Sequence, residues 1–243
     1  MAVLVLGCPV VIRDRSCLRP SRRSVSVLLG VFGLRPNRRL AVDWLIGALW
    51  PQRPPPSAAA NLRSHIAELR RLLGAGPYIE RADDAYVLAA VPSEVDSAHF
   101  LDLVNEARNS RDEGDNLHAA HLLTQALALW RGPVLEGILV PSAVQPQATI
   151  LDEEHLSATE ELIDVRLDLG HHRALVPELK ALVREHPLRE RLWHQLLLAL
   201  AAVGRRSEVV DHYRLLAHVL DTELGVRPSQ AVTELHDLVR GGG

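Results

Sequence analysis

A segment between residues 58 and 73 carries small and basic side chains at the spacing of a helix that reads DNA. At about 100° per residue these side chains fall on, or flank, one side of the helix: Arg63, Ser64, Ala67, Arg70 and Arg71. Arginine binds phosphate oxygens and grips guanine bidentately, and small residues let a helix backbone come close to base edges. The pattern therefore predicts contact with double-stranded DNA, although an ordinary amphipathic surface helix with solvated arginines fits it as well.

The other side of the same segment is apolar. Its large side chains recur at helical intervals: Leu62, Ile66, Leu69 and Leu73. Ser57 is placed to open the helix, because a serine hydroxyl can accept a hydrogen bond from the first backbone N–H groups. The sequence therefore predicts one helix over 58–73, with an apolar face that packs and a basic face that meets a partner.

The elements around this helix predict a winged helix. In chain order they are one or two strands within 2–12, helices over 25–34, 44–50 and 58–73, and a hairpin of two strands over 78–81 and 86–89. Asp43 is placed to cap the second helix, and residues 82–85 form the turn of the hairpin. Small sheets, three helices and a terminal hairpin are the parts of a winged helix.

The charge of the chain is divided unevenly. Residues 1–82 contain thirteen arginines and four acidic residues, a balance of +9 within a chain whose formal net charge is -3. The rest of the chain is therefore acidic, at -12. Such asymmetry indicates a front part that binds nucleic acid, joined to a part with another role.

No residue pattern in the sequence indicates an enzyme. The twelve histidines form no HExxH motif, Cys8 and Cys17 form no CxxC pair, and no GxxxxGK[ST] phosphate loop occurs. We therefore expect no catalytic residues, no metal site and no cofactor. There is also no run of 18 apolar residues, so no membrane-spanning helix is predicted, and a cytoplasmic location is expected.

The second half of the chain is continuously helical and contains a repeat. Residues 170–176 align with 204–210 at an offset of 34, which is the tetratricopeptide period, and 114–120 are a third copy of the same helix-opening element. Stacked helical hairpins of this kind bury one another's apolar faces. Trp130 and Trp193 are expected to anchor the core, and 132–147 is expected to be a loop.

Particular motifs make both halves similar to one family. The front motifs are Leu4–Gly7, Leu45–Trp50, Asn61–Gly74 and Glu94–Asp96, and the rear motifs are Leu129–Pro133, His186–Trp193 and Glu223–Ser229. The front half resembles the response-regulator type of winged helix found in the Streptomyces antibiotic regulatory protein family. The rear half resembles the bacterial transcriptional activation domain of that family. The resulting prediction is a mainly α chain, with a winged helix over 1–92 and an all-α tetratricopeptide-like domain over 96–243.

The resemblance also implies a function and its residues. It implies an activator of a secondary-metabolite gene cluster in an actinomycete, which binds direct repeats in promoter DNA and associates with itself there. In the family the third helix enters the major groove, which adds Asn61 to the DNA-binding candidates. The hairpin contacts the adjacent minor groove or the phosphates, which adds Arg81. The loop before the third helix approaches RNA polymerase, which assigns that role to Pro51, Gln52 and Arg53.

A second hypothesis comes from three acidic residues in the front half. Glu68 lies where the family usually has a basic residue, and Asp83 and Asp84 occupy the turn of the hairpin. Each would repel nearby phosphates, although Glu68 could instead accept a hydrogen bond from cytosine. These residues favour a protein that does not bind DNA because its winged helix is degenerate. Its tetratricopeptide-like half would then act as an interaction scaffold or sense an effector.

Overall fold

The computed structural model describes residues 2–74 and 78–241. Its front elements are β1 (Ala2–Leu4), β2 (Val10–Arg13), β3 (Ser16–Leu18), α1 (Arg23–Leu34), β4 (Leu40–Ala41), α2 (Val42–Leu49), α3 (Ala58–Leu73), β5 (Tyr78–Ala82) and β6 (Ala85–Ala89). A 3-10 turn at Pro92–Glu94 follows, and then α4 (Asp96–Asp112), α5 (Asn116–Ala128), α6 (Gln145–Asp168), α7 (His172–Glu185), α8 (Glu190–Ala202), α9 (Arg206–Leu224) and α10 (Gln230–Gly241). The predicted fold class, a winged helix followed by an all-α domain, is confirmed.

The two sheets are small and antiparallel, with strand orders β1-β2-β3 and β4-β6-β5. Asp14 and Arg15 form the turn between β2 and β3 with positive φ angles of 50° and 62°. The wing, which is the hairpin of β5 and β6, turns at Asp83 and Asp84 as predicted. Neither β3 nor β4 was predicted from the sequence, since strands of three and two residues are too short to show an alternating pattern.

The helix starts differ in detail from those predicted. Asp43 does not cap α2, because Ala41 occupies the N-cap position and Asp43 lies in the first turn. A carboxylate there still suits the positive end of the helix dipole. Ser57 does occupy the N-cap position of α3, but without a side-chain bond to the helix backbone. Its hydroxyl instead accepts a hydrogen bond from the Asn61 amide at 3.2 Å.

The segment after β1 is held by two later parts of the chain. The backbone N–H groups of Val5 and Leu6 donate to the buried carboxylate of Asp96 at 2.7 to 2.9 Å. The N–H of Arg131 donates to the Leu6 carbonyl, and that of Leu135 donates to the Val5 carbonyl, each at 3.0 Å. The predicted loop over 132–147 is confirmed as far as residue 144, although its start is hydrogen-bonded to the segment after β1. The prediction is wrong at its end, where α6 begins at Gln145.

Three glycines mark the repeat in the helical part. Gly114, Gly170 and Gly204 have positive φ angles of 84°, 82° and 78°, and each lies two residues before the start of a helix, α5, α7 and α9 respectively. The N–H of each glycine donates to the carbonyl of the residue three positions earlier. The N–H of the residue after the glycine donates to a carbonyl five positions before that residue. This is the Schellman ending of a helix, which needs a left-handed residue. The predicted three copies therefore share one turn geometry.

The two predicted anchor tryptophans differ in burial. Trp193 is buried at 2% exposure, and its indole N–H donates to the Pro187 carbonyl at 2.9 Å. Trp130 is half-buried, stacks on His155 with ring centres 4.1 Å apart, and meets Phe100 edge-on at 5.4 Å. Both tryptophans thus pack against other side chains of the fold.

The chain divides into two compact units, residues 1–109 with 121–158, and residues 110–120 with 159–243. The boundaries of these compact units differ from those of the predicted domains, 1–92 and 96–243. The domain ranges stay a prediction. Within residues 2–74 and 78–241, no helix is both long and apolar enough to cross a membrane. The same part of the chain brings together no group of three or more histidine, cysteine or acidic side chains that could hold a metal ion.

Candidate nucleic-acid interface

Helix α3 presents the two faces that its sequence predicts. The apolar stripe is buried, with Leu62, Ile66, Leu69 and Leu73 each at most 1% exposed. Helices α1 and α2 pack against α3, as do strands β2 and β5. The opposite face is exposed along its length: Ala60, Arg63, Ser64, Ala67, Arg70 and Arg71. Asn61 lies half-buried at the start of the helix.

Two arginines of this face are available to a partner. Neither the Arg63 nor the Arg71 guanidinium forms a hydrogen bond or ion pair with any other described residue. A guanidinium has five N–H donors in a planar fork, which matches the two acceptors on a guanine edge or two phosphate oxygens. These side chains can therefore bind DNA without first breaking a contact within the protein.

Arg70 has a second role in the fold. Its Nε donates to the Ile79 carbonyl at 2.8 Å, and its guanidinium lies 6.0 Å from the centre of the Tyr86 ring. Ile79 and Tyr86 belong to the two strands of the wing. Arg70 thus ties α3 to the wing, a role that the sequence did not indicate because the two partners are separated from it along the chain.

Arg13 holds the end of α3 from the first sheet. Its Nη1 donates to the carbonyls of Arg71 and Leu72 at 3.1 and 3.2 Å. The last carbonyls of a helix have no partner within the helix, so a cation there satisfies them and complements the helix dipole. Sequence reasoning missed this residue, since its partners lie almost sixty positions away.

The wing tip carries a compensated charge. Arg39 Nη2 lies 2.9 Å from an Asp83 carboxylate oxygen, and Arg81 Nε donates to the Asp83 carbonyl at 3.2 Å. The backbone carbonyl of Asp84 accepts a hydrogen bond from Val42 at 2.8 Å. Arg39 was not predicted as an interface residue, yet it bonds Asp83, as Arg81 does, and so adds a second cation at the wing tip.

Glu68 is also paired. The Ser21 hydroxyl donates to its carboxylate at 3.0 Å, Arg22 Nε lies 3.7 Å away, and the Glu68 side chain is 19% exposed. Burial lowers the pKa of His65, one turn before, with Arg22 acting in the same direction and Glu68 opposing both. The negative charge of Glu68 is therefore directed at the start of α1 and is offset there.

The loop between α2 and α3 is open to solvent. Pro51, Gln52 and Arg53 are all exposed, and the prolines that follow have no N–H to donate to a sheet or helix. The loop therefore contains no helix or strand, and its exposed side chains can contact a second protein. The structure places these three residues outside the buried core of the winged helix.

This chain has the features of a winged-helix regulator. It combines three helices, of which the third is basic and exposed, with an adjoining β-hairpin, and helical repeats follow. The family model described as "Bacterial transcriptional activator domain" matches residues 95–240. The regulatory protein DnrI of Streptomyces peucetius is 31% identical over 99% of this chain and 92% of its own length. The chain therefore belongs to the Streptomyces antibiotic regulatory protein family, which confirms the resemblance seen in the sequence.

Two further comparisons extend this result. The regulatory protein AfsR of Streptomyces coelicolor is 37% identical over 97% of this chain, which spans only 24% of AfsR. A solved structure of Mycobacterium tuberculosis EmbR, in complex with a low-affinity phosphopeptide, superimposes with a TM-score of 0.93 at 29% identity. It covers 99% of this chain and 65% of the EmbR chain. The relatives are transcriptional regulators, so the family is not one of enzymes.

Proposed function

We propose that this protein is a sequence-specific transcriptional activator of a secondary-metabolite gene cluster, acting in the cytoplasm on promoter DNA. The observation that carries the proposal is the exposed face of α3, on which Arg63 and Arg71 have no partner among the described residues. A helix held by a buried stripe and presenting unpaired arginines between small residues is suited to the major groove.

The contacts divide into two kinds. Residues of α3 that face outward meet base edges: Asn61, Arg63, Ser64, Ala67 and Arg71. Arg70 and Arg81, whose Nε atoms already bond the wing backbone, retain their terminal nitrogens for phosphate oxygens. Phosphate contacts of this kind fix the register of the protein on DNA, and base contacts select the sequence.

The scaffold hypothesis is less well supported. It depended on three acidic residues in the front half, and two of these are paired, Glu68 with Ser21 and Arg22 and Asp83 with Arg39. Only the Asp84 carboxylate stands without such a partner in the described part of the chain. The relatives' names, all of regulatory proteins, favour the same conclusion.

Binding to the promoter region of neighbouring genes tests the proposal. We expect the logarithm of the affinity to fall linearly with the logarithm of salt concentration, because docking replaces counterions on several phosphates by arginines. Gel shifts across a salt series measure this slope. An affinity that does not depend on salt, or no binding at all, would favour the scaffold.

The same DNA tests self-association. We propose that two protomers bind direct repeats spaced by about one helical turn, roughly 10–10.5 base pairs, because this spacing places both on one face of the duplex. Inserting five base pairs turns the second repeat to the opposite face and is expected to abolish cooperativity. Equal cooperativity after the insertion would contradict contact between protomers.

The exposed loop is proposed to contact RNA polymerase. Arg53→Ala is expected to lower activated transcription severalfold in a reconstituted assay while leaving operator affinity unchanged, because Arg53 lies in the exposed loop that precedes α3. A gel shift supplies the affinity control. Loss of operator binding in this variant would instead assign the loop to DNA.

A further inference from the structure

Two neighbouring cavities lie in the compact unit of residues 1–109 and 121–158. The larger has a volume of about 670 Å³, and the smaller has a volume of about 160 Å³. Leu34, Pro36 and Gln147 line both cavities, which therefore adjoin. They differ in chemistry, and this difference indicates what they can bind.

The larger cavity is cationic. Arg35, Arg38 and Arg39 line it, and no acidic residue does. Arg39 is already paired with Asp83, whereas Arg38 has no hydrogen bond or ion pair with another described residue. Arg35 lies 4.9 Å over the centre of the Trp44 ring. Three arginines that line one cavity favour an anion, which the guanidinium groups of Arg35 and Arg38 can bind through charge-assisted hydrogen bonds.

The smaller cavity is apolar. Its remaining walls come from α4 and α6: Ser97, Ala98, Leu101, Ile150 and Leu151. Two of these side chains are left in contact with water, with Ile150 57% exposed and Leu101 36% exposed. Covering them with an aliphatic group removes apolar surface from water, which is favourable in proportion to the area covered.

Two residues that line the cavities each have a buried polar atom without a partner in the described part of the chain. These atoms are Arg35 Nε, of the larger cavity, and Gln147 Oε1, of the wall common to both. A buried donor or acceptor without a hydrogen bond is costly, so such groups in a native structure require an explanation. Arg35 Nε supplies a donor beside the cationic cavity. Gln147 Oε1 supplies an acceptor on the wall that the two cavities share.

We infer that the joined cavities bind a small amphipathic organic anion with a hydroxyl group on the β-carbon of its acid. The acid group bonds Arg35 and Arg38, the hydroxyl donates to Gln147 Oε1, and the aliphatic chain fills the smaller cavity. Because the walls come from the α1–β4 segment on one side and from α4 and α6 on the other, an occupant would join the winged helix to the first helices of the activator domain.

Calorimetry on the full chain without DNA tests this site, with 3-hydroxyoctanoate as the probe. Octanoate lacks the hydroxyl and 2-octanol lacks the acid, and each is expected to bind at least about tenfold more weakly. Arg38→Ala and Ala98→Leu, which remove a cation and fill the apolar cavity, are each expected to weaken 3-hydroxyoctanoate binding by about tenfold. Arg184→Ala, an exposed arginine of α7 outside both cavities, is the matched control and should bind as wild type.

Thermal melts establish that each variant is folded. Absence of 3-hydroxyoctanoate binding to the wild type, or wild-type affinity for it in folded Arg38→Ala and Ala98→Leu, would overturn the inference. If Arg38→Ala weakens promoter DNA binding and leaves 3-hydroxyoctanoate binding unchanged, the arginine cluster is a phosphate contact for DNA and the inference is wrong. Since the calorimetry contains no DNA, its outcome is independent of the proposed DNA-binding function.

Discussion

Replacing Asp96 by alanine is expected to lower the free energy of unfolding by about 3–5 kcal/mol, the cost of breaking a buried charged network. The Asp96 side chain is 1% exposed and lies 3.5 Å from Arg131. It accepts hydrogen bonds from the backbone of Val5 and Leu6, so alanine leaves two buried N–H groups without an acceptor. Chemical denaturation measures the loss.

A control variant on the same helix separates this effect from helix propensity. Asp102 is exposed on α4, and Asp102→Ala is expected to change stability by less than about 0.5 kcal/mol. If both variants lost the same amount of stability, the hydrogen bonds between Asp96 and the backbone of Val5 and Leu6 would contribute nothing specific.

The pH dependence supplies a second readout for Asp96. Burial raises the pKa of its carboxyl, while the N–H groups of Leu6 and Val5 and the charge of Arg131 oppose that rise. At a pH between the pKa of Asp96 in the unfolded chain and its higher pKa in the folded chain, the folded chain holds a proton that the unfolded chain has lost. The free energy of unfolding of the wild type therefore falls as pH rises through that range. Asp96→Asn lacks the titration. The stability of the wild type relative to Asp96→Asn should therefore be highest at low pH. A relative stability that rises with pH would contradict this.

Arg63→Ala and Arg71→Ala are each expected to weaken operator binding by about 1–3 kcal/mol, the range for losing a bidentate base contact. Both side chains are exposed on α3 and form no bond within the described protein, so the loss reflects DNA contact alone. Melting temperatures should stay unchanged. Affinities for a footprinted operator at one fixed salt concentration measure the effect.

Three further variants make that experiment specific. Arg70→Ala is expected to weaken DNA binding and also to lower stability, because Arg70 bonds the wing. Asp84→Asn is expected to tighten binding severalfold at low salt, since it removes an unpaired carboxylate at the wing tip. Arg184→Ala, far along the chain on α7, should bind as wild type. Wild-type affinity in both Arg63→Ala and Arg71→Ala would show that α3 is not the recognition helix.

Features that depend on local spacing follow from the residues alone. The limits of α3 and its buried stripe follow from the 3.6-residue period, and the structure has the helix at Ala58–Leu73, as predicted. The three-copy repeat follows from glycines at Gly114, Gly170 and Gly204, whose left-handed conformation is a property of the residue type. In each case the signal and the structure it specifies lie within one turn or one helix.

Contacts between side chains that are far apart along the chain become visible in the folded protein and not in the sequence. Asp96 reaches Val5 across 91 positions, Arg13 reaches Arg71 across 58, and Ser21 reaches Glu68 across 47. The sequence predicted that Glu68 would repel phosphates, because the partners that offset its charge are not adjacent to it. Nor does the sequence show that Leu135 bonds the Val5 carbonyl, because the two residues are far apart along the chain. The period of a helix marks which of its faces is buried, but the identity of the residues that meet that face depends on how distant elements pack.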